Sequence, residues 1–136
     1  MMSPKVEAVV ICPSNPYVSV RPILSVPAIA AWLRARQFPI VAVSPIVGGA
    51  AIKGPAAKMM RELGVEVSAL GIARHYGKLI DGWVIDRADA ALHAAIAASG
   101  CAVAVADTIM RNRIGSRRLA RLVVGFARNL ARSRAR

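Results

Sequence analysis

The chain has 136 residues, enough for one domain with a real core, and it is apolar yet poor in aromatic residues (56% hydrophobic, 4% aromatic). Nineteen lysines and arginines against seven acidic residues give a net charge of +12, which draws polyanions without specifying one. The longest uncharged runs, 38–52 and 90–106, are broken by Pro45 with Gly48-Gly49 and by Gly100, so neither gives the ~20 strongly apolar residues of a membrane span.

Residues 1–12 carry Glu7 and no small-residue cleavage pattern, so no signal peptide is expected and the cytoplasm is the expected location. A short apolar strand is predicted over 6–12. The segment Pro13-Ser14-Asn15-Pro16-Tyr17-Val18-Ser19-Val20-Arg21-Pro22 then leads into a helix over 23–36. A loop that leaves a strand's C-terminal end and enters a helix is where open α/β sheets place ligands. Ser14, Asn15 and Ser19 add neutral polar groups there, and helix N-termini favour anions. The bland alternative is a Pro-rich crossover whose Ser and Asn side chains satisfy themselves.

A second strand is predicted over 39–44, followed by Ser44-Pro45-Ile46-Val47-Gly48-Gly49 and Lys53-Gly54-Pro55. Gly48 and Gly49 could offer backbone N–H groups to a phosphate, with Lys53 supplying charge. This is no Walker loop, because no Ser or Thr follows Lys53. The alternative is a tight turn beside a solvated lysine.

Helices over 55–63, closed by Gly64, and over 68–78 precede a third strand at 82–86. A helix over 88–99, with Asp89 in its first turn, and a strand at 101–106 follow. The alternation predicts an α/β fold, a parallel Rossmann-like sheet flanked by helices. Asp86 ends a strand at the ligand-bearing rim and is a weak metal candidate, since one carboxylate is a poor magnesium site. Asp107-Thr108 could cap a helix. His75, beside Tyr76, reads as a packed surface residue and His93 as incidental. Cys12 and Cys101 lack metal-ligand spacing and are expected to be reduced and buried.

Every charge after Asp107 is positive, while Leu119, Leu122, Val123, Phe126 and Leu130 form a stripe at helical spacing. A helix over 114–132 is predicted. Residues 1–110 thus form the main domain, and 111–136 a basic amphipathic helix and tail. That helix either packs on the sheet or binds nucleic acid or anionic lipid, and the absence of stacking aromatics favours packing.

The loop at Ser14–Pro22 and the passages Val41-Ala42-Val43-Ser44-Pro45-Ile46-Val47-Gly48-Gly49, Leu63-Gly64-Val65-Glu66, Ala73-Arg74-His75-Tyr76, Asp81-Gly82-Trp83-Val84-Ile85-Asp86 and Ala106-Asp107-Thr108-Ile109-Met110 resemble, in order and spacing, the C-terminal half of the 2-phospho-L-lactate transferase family of coenzyme F-420 biosynthesis. The resemblance spans 6–110. It implies transfer of a phospholactyl or phosphoenolpyruvyl group from a guanosine diphosphate-linked donor to 7,8-didemethyl-8-hydroxy-5-deazariboflavin, with release of GMP and with magnesium as cofactor. It assigns Ser14, Asn15 and Ser19 to donor or acceptor positioning, Ser44, Gly48 and Gly49 to phosphate or ring contact, and Lys53 to electrostatics. Arg21 stands where the family commonly has Gly. Family members are longer, with a Gly-rich nucleotide loop and metal-binding aspartates in an N-terminal half that nothing here matches. The chain is therefore expected to be incomplete relative to the full-length family, self-associating or paired with an N-terminal half. The alternatives are a non-catalytic nucleotide- or deazaflavin-binding remnant and a basic polyanion-binding protein.

Overall fold

The computed structural model describes residues 6–136; Met1–Lys5, part of the segment read as lacking a signal peptide, lie outside them. Two fully buried strands decide the architecture. Ile40–Val43 (β2) and Gly82–Asp86 (β5) are buried along their whole length, the condition of central strands covered on both faces. Val9–Ile11 (β1) pairs with β2, and Ala102–Ala106 (β6) with β5, giving a parallel sheet ordered β1-β2-β5-β6. This is the expected α/β fold.

Alternation along the strands sends Ile40, Ala42, Trp83 and Ile85 to one face, where they pack with Leu33, Met60, Ile72 and Ile96. These come from the helices Pro27–Arg34 (α2), Ala56–Glu62 (α3), Ala69–Tyr76 (α4) and His93–Ala97 (α5). Val41, Val43 and Val84 face the other way, under Leu119, Val123 and Ala127 of Arg113–Arg134 (α6). The stripe read in the sequence is thus largely the packing face of α6, although Leu122 is exposed. Burying Leu119 and Val123 contributes roughly 1.5–3 kcal/mol each. The far end of α6 is tied down by Arg134, which donates to the Phe38 carbonyl and to Asp81. Asp81 also accepts from the Ile40 N–H at 2.7 Å and pairs with Arg36.

Several elements differ from expectation. β1 has three residues rather than seven. The chain becomes helical well before residue 23: a π-helical turn, Pro16–Val20, runs directly into Arg21–Leu24 (α1). Asn15 starts it, its side-chain oxygen accepting from the Tyr17 and Val18 N–H groups at 2.9 and 3.3 Å, and Pro16 follows at the position a helix tolerates best. Pro27 splits the predicted 23–36 helix, since the preceding Val26 is extended. Ile46–Val47 (β3) and Ala50–Ala51 (β4) form an unpredicted antiparallel hairpin. The predicted helix over 88–99 is a 3₁₀ stretch, Arg87–Leu92, followed by the five-residue α5. Asn112, not Asp107 or Thr108, caps α6. Cys12, at the end of an edge strand, is exposed rather than buried, and Cys101 is partly buried; both are free.

Gly64 does end α3, with its N–H on Arg61 and the Val65 N–H on Met60. At Gly71 the constraint is close approach: a Cβ there would lie 1.9 Å from the Glu66 carbonyl oxygen. Gly71→Ala is therefore expected to cost about 3 kcal/mol or more in chemical denaturation. Gly125→Ala, on open helix surface, should stabilise by about 0.5–1 kcal/mol. Equal midpoints for the two variants would contradict this packing.

Candidate functional site

Because the sheet is parallel, the segments leaving β1, β2 and β6 meet at one rim. They enclose a small open pocket of about 160 Å³, room for a phosphate-sized group rather than a whole nucleotide. Ser14 and Asn15 come from the first segment, Ser44 and Lys53 from the second, and Thr108 with Met110 from the third. Lys53 is exposed and is the one charged residue lining the pocket among the described residues. An anion is the ligand such a lining favours.

The polar groups are not equally free. The Asn15 oxygen is spent on its cap, while its amide touches the Met59 sulfur at 3.5 Å, a weak partner that a better acceptor would displace. Ser44 is buried, its hydroxyl donating to the Ile46 carbonyl at 2.9 Å and accepting from the Ile46 N–H at 3.2 Å. It shapes its own turn more than it offers a hand to a ligand. The Ser14 hydroxyl makes no side-chain hydrogen bond to the described residues and faces both this pocket and an adjoining apolar cleft.

Other expected site residues lie elsewhere. Ser19 lines the apolar cleft, not the polar pocket. Gly48 and Gly49 form the two-residue turn between β3 and β4, with φ of 57° and 76°, the left-handed pair that such a hairpin requires. The Gly48 N–H points at the Asp89 carboxylate, 3.1 Å from each oxygen. An acidic side chain thus stands where a phosphate was expected, and neither glycine lines the pocket.

Asp86 is buried and fully engaged. Its Oδ1 accepts from the Ala88 N–H at 3.0 Å, and its Oδ2 accepts from the Thr108 N–H at 2.8 Å and the Thr108 hydroxyl at 3.0 Å. Burial alone would raise its pKa, but these N–H and O–H donors, with Arg87 nearby, lower it. Asp86 therefore holds the β6 loop against the end of β5. Asp107 is paired with Arg118, and no group of three or more metal-ligating side chains is present among the described residues. The residues around this pocket do not by themselves fit a magnesium site.

Sequence reasoning missed the Asp86–Thr108 link and the role of Tyr17. Tyr17 packs edge-on against His75, with ring centroids 4.8 Å apart, and His75 against Tyr76 at 5.3 Å. These rings join the first rim segment to α4. Burial, then the Arg21 charge, lowers the His75 pKa, while burial, then Tyr17, pushes Tyr76 up to about 12. The trio is thus uncharged at neutral pH and serves as packing.

The family model described as 2-phospho-L-lactate transferase CofD matches residues 4–121, passing Met110 and entering α6. The chain belongs to the 2-phospho-L-lactate transferase family. A relative named 2-phospho-L-lactate transferase, from Methanosarcina acetivorans, is 42% identical over 122 residues, covering 90% of this chain and 39% of the relative. One of the same name from Methanocaldococcus jannaschii is 39% identical, covering 91% of this chain and 38% of its own length. A phosphoenolpyruvate transferase from Kitasatospora aureofaciens is 38% identical, covering 89% and 38%. The chain spans about two-fifths of the length of these relatives. No helix among the described residues is long and apolar enough to cross a membrane.

Asp86→Asn should cost roughly 2 kcal/mol at neutral pH, because its amide nitrogen cannot accept one of the three donors. The sign with pH follows from the lowered pKa. The carboxylate's contribution is present above the unfolded value of about 3.8 and is lost as pH falls through the folded value. Denaturation at pH 7 and pH 3 should show the gap between the native and variant chains shrinking in acid. A gap that stays constant would remove the proposed staple.

Proposed function

We propose that this chain forms the phosphate-facing part of a transferase that moves a phospholactyl or phosphoenolpyruvyl group from a guanosine diphosphate-linked donor to the ribityl hydroxyl of 7,8-didemethyl-8-hydroxy-5-deazariboflavin, in the cytoplasm. The hydroxyl oxygen would form a bond to the phosphorus that bears the lactyl or enolpyruvyl group. The anhydride P–O bond breaks in the same exchange, GMP leaves with the bridging oxygen, and the hydroxyl proton is released. Family membership supports the reaction class, and the relatives' names carry both groups, 2-phospho-L-lactate and phosphoenolpyruvate.

The observation that carries this reading is the convergence of Ser14, Lys53 and Thr108, from three separate rim segments, around one pocket. Lys53 would neutralise a phosphate oxygen, and the Ser14 hydroxyl would donate to another. Asp86, through Thr108, and Tyr17, through His75, hold two of those segments in place without touching the ligand. Magnesium belongs to the family's reaction by resemblance. Its carboxylates would come from outside the residues described.

A second reading has its own support. Arg117, Arg121 and Arg132 lie on the exposed side of α6, and such a surface would bind polyanions non-specifically with strong salt dependence. The two readings separate in one titration with guanosine diphosphate. Lys53→Ala should weaken binding roughly tenfold, the loss of one charge-assisted contact, while an Arg117→Ala, Arg121→Ala variant leaves it unchanged. The reverse pattern would assign the binding to α6 and sink the pocket.

A further inference from the structure

α6 carries no acidic residue along its 22 positions, and its arginines fall into two groups. Arg118, Arg128 and Arg134 reach Asp107, Glu7 and Asp81. Arg113, Arg117 and Arg121 are exposed and have no carboxylate partner among the described residues. They stand four residues apart, so they form one row with about 6 Å of rise between neighbours. Like charges at that spacing repel and weaken a helix. A partner of opposite charge lying along the row relieves that repulsion.

Apolar side chains share this surface. Ile114 is 79% exposed, the most exposed large apolar residue among the described ones, and Val124 is 44% exposed. Ile114 lies three residues before Arg117, and Val124 three residues beyond Arg121, so both flank the arginine row. The packing face is separate, with Leu119, Val123 and Ala127 against the sheet. The helix thus shows a basic surface with apolar tips although its own apolar stripe is already covered. An anionic bilayer surface engages both features: headgroup phosphates take the guanidinium groups and the interface takes the apolar tips. A nucleic-acid backbone uses the arginines alone. The aromatic residue of α6, Phe126, packs beside the sheet and offers no base a stacking platform.

We propose that the outward face of α6 docks on an anionic lipid surface. The helix lies in the plane of that surface, with Arg113, Arg117 and Arg121 on headgroup phosphates and Ile114 reaching below them. Docking is peripheral, since no helix among the described residues is long and apolar enough to cross a membrane. Two signals act together, charge and apolar insertion, and reversible attachment to a bilayer ordinarily needs such a pair. The inference rests on the polyanion reading of α6 above and names its partner; it does not depend on the rim pocket.

The test is co-sedimentation of the full chain with vesicles of equal parts phosphatidylglycerol and phosphatidylcholine. Vesicles of phosphatidylcholine alone, and a single-stranded DNA oligonucleotide read by fluorescence anisotropy, are the comparison probes. Binding to the mixed vesicles and little to the neutral ones is expected. The Arg117→Ala, Arg121→Ala variant should weaken vesicle binding roughly twenty-five-fold, about fivefold for each charge. Ile114→Ser should weaken vesicle binding by about threefold or more and leave DNA binding unchanged. All three positions are exposed, so both variants should keep the native circular dichroism spectrum. Equal binding to neutral vesicles would overturn the proposal. So would mixed-vesicle binding indifferent to Ile114→Ser, which would leave α6 a general polyanion surface. No binding to vesicles or to DNA would overturn the polyanion reading as well and leave the pocket reading untouched.

Discussion

Asp86 ends β5 with its carboxylate turned into the protein, where three donors meet it. A buried carboxylate left unpaired would be costly, and one this well satisfied is held in a single geometry. The rim depends on that geometry. The Ala88 contact starts the 3₁₀ stretch that carries Asp89 to the Gly48 N–H, fixing the β3–β4 hairpin. The Thr108 contacts fix the third wall of the pocket. One strand-end carboxylate thus sets the positions of segments that are far apart in sequence.

The central strands were legible because burial on both faces demands continuous apolar runs, and Ile40-Val41-Ala42-Val43 and Trp83-Val84-Ile85 have them. Gly64 was legible for a local reason, since a helix end needs a residue there that closes the last carbonyls. The segment after β1 was harder. Its three prolines suggested an extended loop, although Asn15-Pro16 carries the cap and first-position pair of a helix start. The β3–β4 hairpin has strands of two residues, too short for an alternation signal, so from the sequence Gly48-Gly49 stood between a phosphate turn and a tight turn. The Asp86–Thr108 bond joins residues 22 positions apart. Only the pairing of β5 with β6, side by side in the sheet, brings them together.

The basic α6 shows how one element serves two constraints. Leu119, Val123 and Ala127 close the second face of the sheet, and this burial holds the middle of the helix while Arg134 ties down its far end. Its arginines divide between anchors and solvated charge. Arg134 reaches Asp81 and the Phe38 carbonyl, Arg118 reaches Asp107, and Arg128 reaches Glu7. The family match continues into this helix as far as Arg121.

On this reading the rim between the β1, β2 and β6 segments receives the phosphate of the ligand. Backbone amide chemical shifts, followed by NMR during titration with guanosine diphosphate, test it most directly. Ser14, Lys53 and Thr108 are expected to move together and saturably, with Gly48 and Gly49 unmoved. Shifts confined to α6, fading as salt is raised, would contradict it.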